Sequence, residues 1–400
     1  MTKSSVWLTA ADATRQLGIK RETLYAYVSR GLIRSAPQRG NTRERLYARD
    51  DIERARRRAE DRRDPASSAA HALSHGSPVL ESAITLIAGG RLYYRGHDAV
   101  ELSRERSVAE VASLIWRGRF DTNDLHEARG PRPRGLIVKA DLPVLARAQV
   151  ILAASAPHDP LAFDLRSDAV PATAARILDL VTFAASRAQS RGATIDTELA
   201  SVWKLRRGAH DLLRAAIILC ADHELNVSAF TARCVASAGG SPYAAVIAGL
   251  AALEGVRHGG LTARVESMLE SMRREPSARA ALGARIREGT TIDGFGHPLY
   301  PNGDPRADEL LAQLRIRYGR SAELTFALKF ADEVHSALDL RPSLDFALAT
   351  VSRVLDLPPR SGVTLFAIGR TIGWLGHAIE QYAAGQLIRP RAKYVGPLPG

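Results

Sequence analysis

The chain has 400 residues, 46% hydrophobic and 24% charged, which excludes a wholly disordered protein and allows large buried cores. Its two cysteines do not form a CxxC pair, which argues against a disulfide framework and a zinc site. No signal-peptide pattern is present and no apolar run is long enough to span a bilayer, so we expect a cytoplasmic protein.

The positive charge is concentrated in one segment. The formal net charge is +12, and residues 1–64 contribute +7 of it, from 16 Lys and Arg against 9 Asp and Glu. This asymmetry favours an anionic partner for the segment, and a merely solvated basic segment is the alternative.

The same segment carries the pattern of a helix-turn-helix with a wing. Apolar residues at helical spacing after Thr9 predict a first helix with Thr9 as its N-cap, and Gly18 supplies the turn. In KRETLYAYVSRGLI, a second helix is predicted because Leu24, Val28 and Leu32 fall roughly on one face. The two stretches that follow predict a Gly-turned hairpin or wing and a third helix: RSAPQRGNTRERLY and ARDDIERARRRAEDRR.

The pattern A(A)xxLGIxxxTLYxYVxRGLIRS resembles the MerR/excisionase-type DNA-binding domain over roughly 55 residues. We therefore expect this domain at residues 1–63, followed by a linker rich in Ala, Ser and His at 64–77. The resemblance implies DNA contacts from the second helix and the wing, through Arg21, Thr23, Tyr25, Arg30, Arg43 and Arg45. A protein-interaction module, with the basic residues serving only for solvation, is the alternative.

The rest of the chain predicts an all-α body, because alanine is abundant, β-branched runs are few and apolar residues recur at helical spacing. This periodicity is clear in VAEVASLIWRG, LPVLARAQVILAAS, ATAARILDLVTFAAS and DLLRAAIILCADHE. Only ITLIAGGRLYYRG predicts strands, in a hairpin that turns at Gly89-Gly90. A helical body of about 320 residues exceeds one simple bundle, so we expect two packed lobes.

Polar side chains suited to chemistry form five groups in the body. They are His223 with Asn226, predicted to share a helix face; His258 before Gly259-Gly260; His297 with Arg306; Asp345 among apolar residues; and Arg370, Trp374 and His377 on one helix face, followed by Arg389. Taken singly, each has a structural interpretation, such as a capping His, an N-cap or turn Asp, or a Trp packed in the core.

Taken together, these residue types predict a particular chemistry. A carboxylate in apolar surroundings, as expected for Asp345, has a raised pKa and suits a base that removes a proton from carbon. Neutral His residues can donate to a carbonyl oxygen that becomes an enolate, and several Arg forks suit a di- or tricarboxylate. The set predicts condensation of a carbon acid with a small polycarboxylate. The His spacings match no metal motif, so we expect neither a metal nor another cofactor.

Six motifs, in order over about residues 76–400, resemble the citrate synthase family: SPVLESAITLIAGGRLYYRGHDAVEL, DHELNVSAF, RHGG, GFGHPLYPNGDPR, IGRTIGWLGHAIEQ and IRPRAKYVGP. The resemblance implies condensation of acetyl-CoA or propionyl-CoA, as substrate, with oxaloacetate, followed by hydrolysis of the thioester. It also implies an all-α fold of two domains whose cleft closes over substrate. The large domain is expected at 78–260 and 357–400, and the small domain at 261–356.

The resemblance also implies a role for each matching residue. Asp345 corresponds to the base that removes the α-proton, His258 to the group that polarises the thioester carbonyl and stabilises the enol, and His297 to the residue that polarises the keto group of oxaloacetate. The carboxylate-binding set is implied to be His223, Arg306, Arg370 and Arg389. In the family the last arginine is given across a dimer interface, so a homodimer is implied.

Three departures from the family pattern all fall on the acyl-CoA side. Leu261-Thr262-Ala263 stands where the family commonly has Ala-Asn-Glu, residues 342–349 read PSLDFALA where it tends to PNVDFYSG, and residues 298–303 lack the Lys or Arg that help hold the CoA phosphates. We therefore expect one of two functions, or both together. The first is an enzyme of the citrate synthase type. The second is a DNA-binding regulator whose synthase-like body senses a dicarboxylate or an acyl-CoA.

Overall fold

The computed structural model describes residues 7–38, 41–53, 55, 80–130, 132–133, 138–139, 141–188, 190–206, 208–392 and 394–397. The chain divides into two compact units, Met1–Glu81 with Pro390–Gly400, and Ser82–Arg389. The linker predicted at 64–77 lies outside the described residues. The other domain boundaries drawn from the sequence, including a small domain at 261–356, stay predictions.

The first unit contains the predicted helix-turn-helix and wing. Its elements are β1 (Trp7–Leu8), α1 (Ala10–Leu17), α2 (Arg21–Ser29), β2 (Ser35–Gln38) and β3 (Asn41–Ala48). The side chain of Thr9 accepts from the backbone N–H of Asp12 and caps α1, and Gly18 ends it with a left-handed φ of 62°. β3 pairs antiparallel with β2 and with β1. Residues 49–53 and 55 are helical, and the rest of the predicted third helix lies outside the described residues.

A small apolar core joins these elements, formed by Leu8, Ala13, Leu24, Ile33, Tyr47 and Ile52. The prediction of one shared face for Leu24, Val28 and Leu32 is wrong for the last of these, whose side chain is 46% exposed. The helix has already ended when the chain turns at Gly31 with a φ of 70°, so Ile33 enters the core instead of Leu32.

The second unit is mostly helical, as predicted. Its helices are α3 (Ala99–Glu105), α4 (Val108–Arg117), α5 (Leu125–Ala128), α6 (Val144–Ser155), α7 (Val170–Ser186), α8 (Ile195–Val202), α9 (Ala209–Leu219), α10 (Val227–Ser237), α11 (Pro242–Leu253), α12 (Gly260–Met272), α13 (Ala278–Arg287), α14 (Pro305–Tyr318), α15 (Ala322–Leu338), α16 (Leu344–Val354) and α17 (Ser361–Ala384), with a 3-10 turn at Ala156–His158. In the part of the chain that is described, none of the helices combines the length and apolar character that a membrane crossing requires.

One small antiparallel sheet accompanies the helices of the second unit. It consists of β4 (Thr85–Ala88), β5 (Arg91–Tyr94) and β6 (His97–Asp98) in that order. Gly89 and Gly90 have φ values of 59° and 75°, which give the two-residue turn that the sequence predicts.

The long helix α17 is the centre of the second unit, and its residues are buried on all sides over most of its 24-residue length. It packs against α4, α7, α9, α10, α11 and α16. Glycines allow the closest of these approaches. A Cβ atom on Gly369 would lie 2.3 Å from the carbonyl oxygen of Ile217, and one on Gly373 would lie 2.3 Å from that of Ala221.

The interpretation of Trp374 as a packing residue is confirmed. Its side chain is fully buried. The indole packs so closely on α11 that a Cβ atom added to Gly249 would lie 2.6 Å from its ring. A second indole on α4, that of Trp116, donates its Nε1–H to the carbonyl oxygen of Ile372 at 2.9 Å. Aromatic side chains therefore hold α17 between its neighbours.

Replacing Gly369 by Ala is expected to destabilise the protein by about 2 kcal/mol or more, because the added methyl group meets the backbone of a packed helix. Chemical denaturation followed by circular dichroism measures the loss. Gly283→Ala on α13 is the matched control, since its nearest neighbour at 3.3 Å is the flexible tip of Arg287. This control should be neutral or stabilising by up to about 1 kcal/mol, and equal losses in both variants would contradict the close approach.

Candidate active site

The loop that carries His297 is fastened to the segment that precedes α16. The backbone N–H of Gly296 donates to the carbonyl oxygen of Arg341, and that of Ser343 donates to the carbonyl oxygen of Gly294, both at 2.8 Å. Gly294 and Gly296 have φ values of 87° and 76°, which side chains larger than glycine rarely adopt. The loop and the start of α16 are therefore held side by side.

His297 packs with two other rings of the site. Its ring centroid lies 5.2 Å from that of His223 and 5.0 Å from that of Tyr300. The Nδ1 atom of His297 accepts from the backbone N–H of Leu299 at 3.1 Å, so a neutral ring carries its hydrogen on Nε2. Tyr300 in turn bonds its hydroxyl to the Nε2 atom of His223 at 3.1 Å.

His223 lies in a loop, and the prediction that it shares a helix face with Asn226 is wrong. α9 ends at Leu219, the backbone of Glu224 has a φ of 52°, and the amide oxygen of Asn226 accepts from two backbone N–H groups to begin α10. A polar side chain that caps a new helix interrupts the apolar periodicity here. Burial and the charges of Arg306 and Arg370 lower the pKa of His223 well below its usual value.

Arg306 is buried at the start of α14 and is paired with Asp304. Its Nε and Nη2 atoms donate to the two carboxylate oxygens at 2.9 and 2.8 Å. Asp304 also caps α14, and its Oδ2 atom accepts from the backbone N–H of Leu344, the first residue of α16, at 3.1 Å. Burial would raise the pKa of the Asp304 carboxyl, but the guanidinium of Arg306 holds it below its usual range.

Arg370 is fully buried on α17. Its Nε–H donates to the carbonyl oxygen of Cys220 at 2.9 Å, and its guanidinium carbon lies 4.6 Å from the ring centroid of Phe366. Burial lowers the pKa of Arg370, and the carboxylate of Asp222 opposes that effect. Its charge is thus largely dehydrated, which strengthens its attraction for an anion.

Asp222 is held in a buried network directly before His223 in the chain. Its Oδ2 atom accepts from the hydroxyl of Thr85 at 2.6 Å, and its Oδ1 atom lies 3.2 Å from the Nε2 atom of His377. Burial would raise the pKa of Asp222, but His377, Arg370 and Thr85 lower it, so the carboxylate stays charged. A buried carboxylate with these partners fixes the turn that presents His223.

His258 lies at the turn before α12. Its Nε2 atom is 2.7 Å from the hydroxyl oxygen of Ser228, and its ring meets that of Phe366 edge-on at 5.9 Å. Burial and the charge of Arg370 lower the pKa of His258 to about 4. The imidazole is therefore neutral at physiological pH.

Asp345 is the second residue of α16. Ser343 occupies the N-cap position, so neither the N-cap nor the turn interpretation of Asp345 holds. The hydroxyl of Thr262 donates to its Oδ1 atom. Burial raises the pKa of Asp345, and the Thr262 hydrogen bond and the charge of Arg306 act in the opposite direction.

These contacts join six of the seven predicted enzyme residues into one candidate site: His223, His258, His297, Arg306, Asp345 and Arg370. Within the described residues, Arg389 is not part of these contacts. It lies beyond α17 and its side chain is exposed.

The predicted DNA-binding residues lie in the other unit. Arg21, Tyr25 and Arg30 are exposed on or next to α2, and Thr23 is half-buried. Arg45 is exposed on β3. Arg43 also lies in β3, and its side chain is outside the described part of the chain.

Sequence reasoning missed several residues that support the site, namely Thr85, Asp222, Ser228, Thr262, Tyr300, Asp304 and Phe366. One local signal was available, because Asp304 before a proline is a typical N-cap. The partners of Ser228 and Thr262 come from distant segments, at separations of 30 and 83 residues, and no local pattern reveals them.

Comparisons with known proteins agree with this fold. The family described as "Citrate synthase, C-terminal domain" matches residues 73–391, and that described as "Helix-turn-helix domain" matches residues 7–59. Citrate synthase 2 of Bacillus subtilis is 38% identical over 185 residues, which cover 46% of this chain and 50% of that protein, so the match spans half of that relative.

A longer match is found to the 2-methylcitrate synthase of Shewanella oneidensis, which is 27% identical over 360 residues, covering 81% of this chain and 94% of that protein. The crystal structure of citrate synthase from Thermotoga maritima aligns with a TM-score of 0.69 at 25% identity and covers 81% of this chain and 95% of that one. The chain therefore belongs to the citrate synthase family and carries a helix-turn-helix domain at residues 7–59.

Proposed function

We propose that the protein condenses an acyl-CoA with oxaloacetate and then hydrolyses the thioester, which releases CoA. One observation above all supports this proposal. A half-buried carboxylate with a raised pKa, Asp345, shares one site with two neutral histidines, His223 and His258, and two buried arginines, Arg306 and Arg370.

The arginine side of the site suits oxaloacetate. Arg306 and Arg370 are both buried, and Arg370 donates its Nε–H to a backbone carbonyl rather than to a carboxylate, so the two guanidinium groups can bind the carboxylates of a dicarboxylate. His223 adjoins these arginines. His297, whose ring packs against that of His223, can donate from Nε2 to the keto oxygen as negative charge develops on it. This arrangement supports the proposal that oxaloacetate is bound and polarised on one side of the site.

The opposite side supplies the base and the enol stabiliser. In the proposed first step, the carboxylate of Asp345 takes a proton from the carbon next to the thioester carbonyl. His258 is a neutral imidazole beside this base, and a neutral ring can donate a hydrogen bond to the enol oxygen. The enol carbon then attacks the keto carbon, and water cleaves the thioester so that CoA leaves. Acetyl-CoA and propionyl-CoA are the two candidate acyl donors.

Release of free CoA from each acyl-CoA is expected to require oxaloacetate and to fall by about 10³-fold in Asp345→Ala, because the base is removed. A thiol reagent follows the released CoA. Asp332→Ala, an exposed aspartate on α15, is the matched control and should retain full activity.

The donor that gives the higher kcat/KM identifies the acyl group. Turnover that continues without oxaloacetate, or that survives in Asp345→Ala, would refute the proposed mechanism. Absence of turnover in the unaltered protein, with oxaloacetate binding intact, would favour the regulator described below.

We further propose a homodimer in which Arg389 completes the site of the partner. Support comes from the chain itself: Arg389 is exposed and is not part of the contacts that join the other six residues. An arginine supplied by a second copy would add to the positive charge available to a tricarboxylate product.

Subunit mixing tests this arrangement. Asp345→Ala and Arg389→Ala are each expected to be nearly inactive. Random exchange of their subunits should restore about a quarter of normal activity, because half of the dimers are mixed and each mixed dimer has one intact site of two. Mixing Asp345→Ala with Asp345→Asn is the control and should restore nothing. No recovery in the first mixture would show that Arg389 acts within its own chain.

The second candidate function is DNA binding by the helix-turn-helix unit, alone or together with catalysis. The observation that favours it is the exposure of Arg21, Tyr25 and Arg30 along α2, in a segment with a net charge of +7. Arg34 supports the same surface, because its guanidinium and backbone N–H bind Asp51 at 2.9 and 2.7 Å and tie the wing to the helical residues 49–53.

Binding to fluorescently labelled duplexes enriched from a random pool is expected to weaken steeply between about 50 and 200 mM salt. Arg30→Ala should reduce the slope of log affinity against log salt by about one, because one phosphate contact is lost. Arg15→Ala is the control, since this exposed arginine lies on α1 and pairs with Asp12. Absent or salt-insensitive binding would favour a protein-interaction module.

A further inference from the structure

Thr262 contacts one predicted catalytic group, Asp345, and is one of the residues that depart from the family pattern. It is fully buried on the first turn of α12, and its hydroxyl donates to the Oδ1 atom of Asp345 on α16. It also stands four residues after His258, which lies in the turn before α12.

The orientation of Thr262 is fixed by the way its methyl group packs. A Cβ atom added to Gly362 would lie 2.9 Å from the Cγ2 atom of Thr262, so the methyl group occupies space that only glycine leaves open. A β-branched side chain has few allowed rotamers, and with the methyl group seated there the hydroxyl faces Asp345. The hydrogen bond is therefore a fixed feature of the packing.

A second contact anchors the same helix one turn later. The carboxylate of Glu266 accepts from the backbone N–H groups of Arg360 and Gly362, both at 3.0 Å, and so joins α12 to the start of α17. Thr262 and Glu266 are four residues apart and lie on one face of α12. α12 is thus tied at successive turns to the two helices that carry Asp345 and Arg370.

We propose that Thr262 is a positioning residue for the condensation, holding one oxygen of Asp345 so that the other faces the acyl carbon beside His258. This inference rests on the proposed function. It assigns a role to a residue at a position where the family commonly has asparagine.

The hydrogen bond also affects the pH range in which Asp345 is charged. Burial and the neighbouring carboxylate of Asp304 raise the pKa of Asp345, and Thr262 and Arg306 lower it. Arg264 on α12 and the buried thiol of Cys220 also act electrostatically with Asp345. A hydrogen bond to the carboxylate favours the charged form, so its removal raises the pKa further.

Thr262→Val keeps the shape of the side chain and removes only the donor. The acidic limb of the kcat/KM profile, where activity is lost as Asp345 gains a proton, is expected to move up by about one pH unit. At neutral pH kcat should fall by about tenfold, while the KM for oxaloacetate stays unchanged because the arginine side is intact.

Two further variants separate this role from a structural one. Thr262→Ser retains the hydroxyl and should restore the acidic limb and most of kcat. Thr350→Val removes the hydroxyl of another fully buried threonine, on α16, which donates to the backbone carbonyl of Phe346 instead of a carboxylate. Its pH profile should match that of the unaltered protein. Oxaloacetate binding by calorimetry confirms that each variant is folded.

The outcomes distinguish this inference from the proposed function. An active protein whose acidic limb is the same in Thr262→Val as in the unaltered chain would overturn the role of Thr262 alone. An unaltered protein without turnover would overturn the proposed function and this role with it. The ¹³C signal of the Asp345 carboxyl, assigned with Asp345→Asn, reports the pKa independently of turnover and should move upward in Thr262→Val.

Discussion

The geometry of the site depends on the contacts that the carboxylate of Asp304 makes. It caps α14, binds Arg306 through two hydrogen bonds and accepts the first backbone N–H of α16. One buried side chain therefore sets the position of an arginine and of the helix that carries Asp345. A carboxylate buried this deeply is stable only with charged and polar partners around it, so these three contacts form as a set.

Burial of charge also decides the protonation states of the site. Arg306 and Arg370 remain cationic although they are buried, and their field together with burial keeps His223 and His258 neutral. The same burial raises the pKa of Asp345, which makes it a stronger base than an exposed carboxylate. Neutral donors, a stronger base and dehydrated cations thus all follow from excluding water from one region.

The features that were predicted correctly from the sequence are those that interactions between neighbouring residues determine. Helical periodicity, the Thr9 cap and the turn at Gly89-Gly90 depend on neighbouring residues, and the structure has them where expected. The error at Leu32 arose because α2 stops early, and the error at Asn226 because its side chain begins a helix. Motifs that resemble the citrate synthase family indicated the candidate site residues. Their partners could not be predicted, because the contact between Thr262 and Asp345 joins residues 83 positions apart.

The tripeptide at 261–263 departs from the family pattern, and its residues have different surroundings. Thr262 faces Asp345 and is fully buried, whereas the adjacent Ala263 lines a cavity together with Gly259, Gly260 and Arg360. Neighbouring helical positions point about 100° apart, so one can retain a hydrogen-bond donor toward the carboxylate while the next alters the cavity wall. Substitution in this tripeptide can therefore change the cavity wall and leave the hydrogen bond to Asp345 in place, since the two contacts belong to different faces of α12.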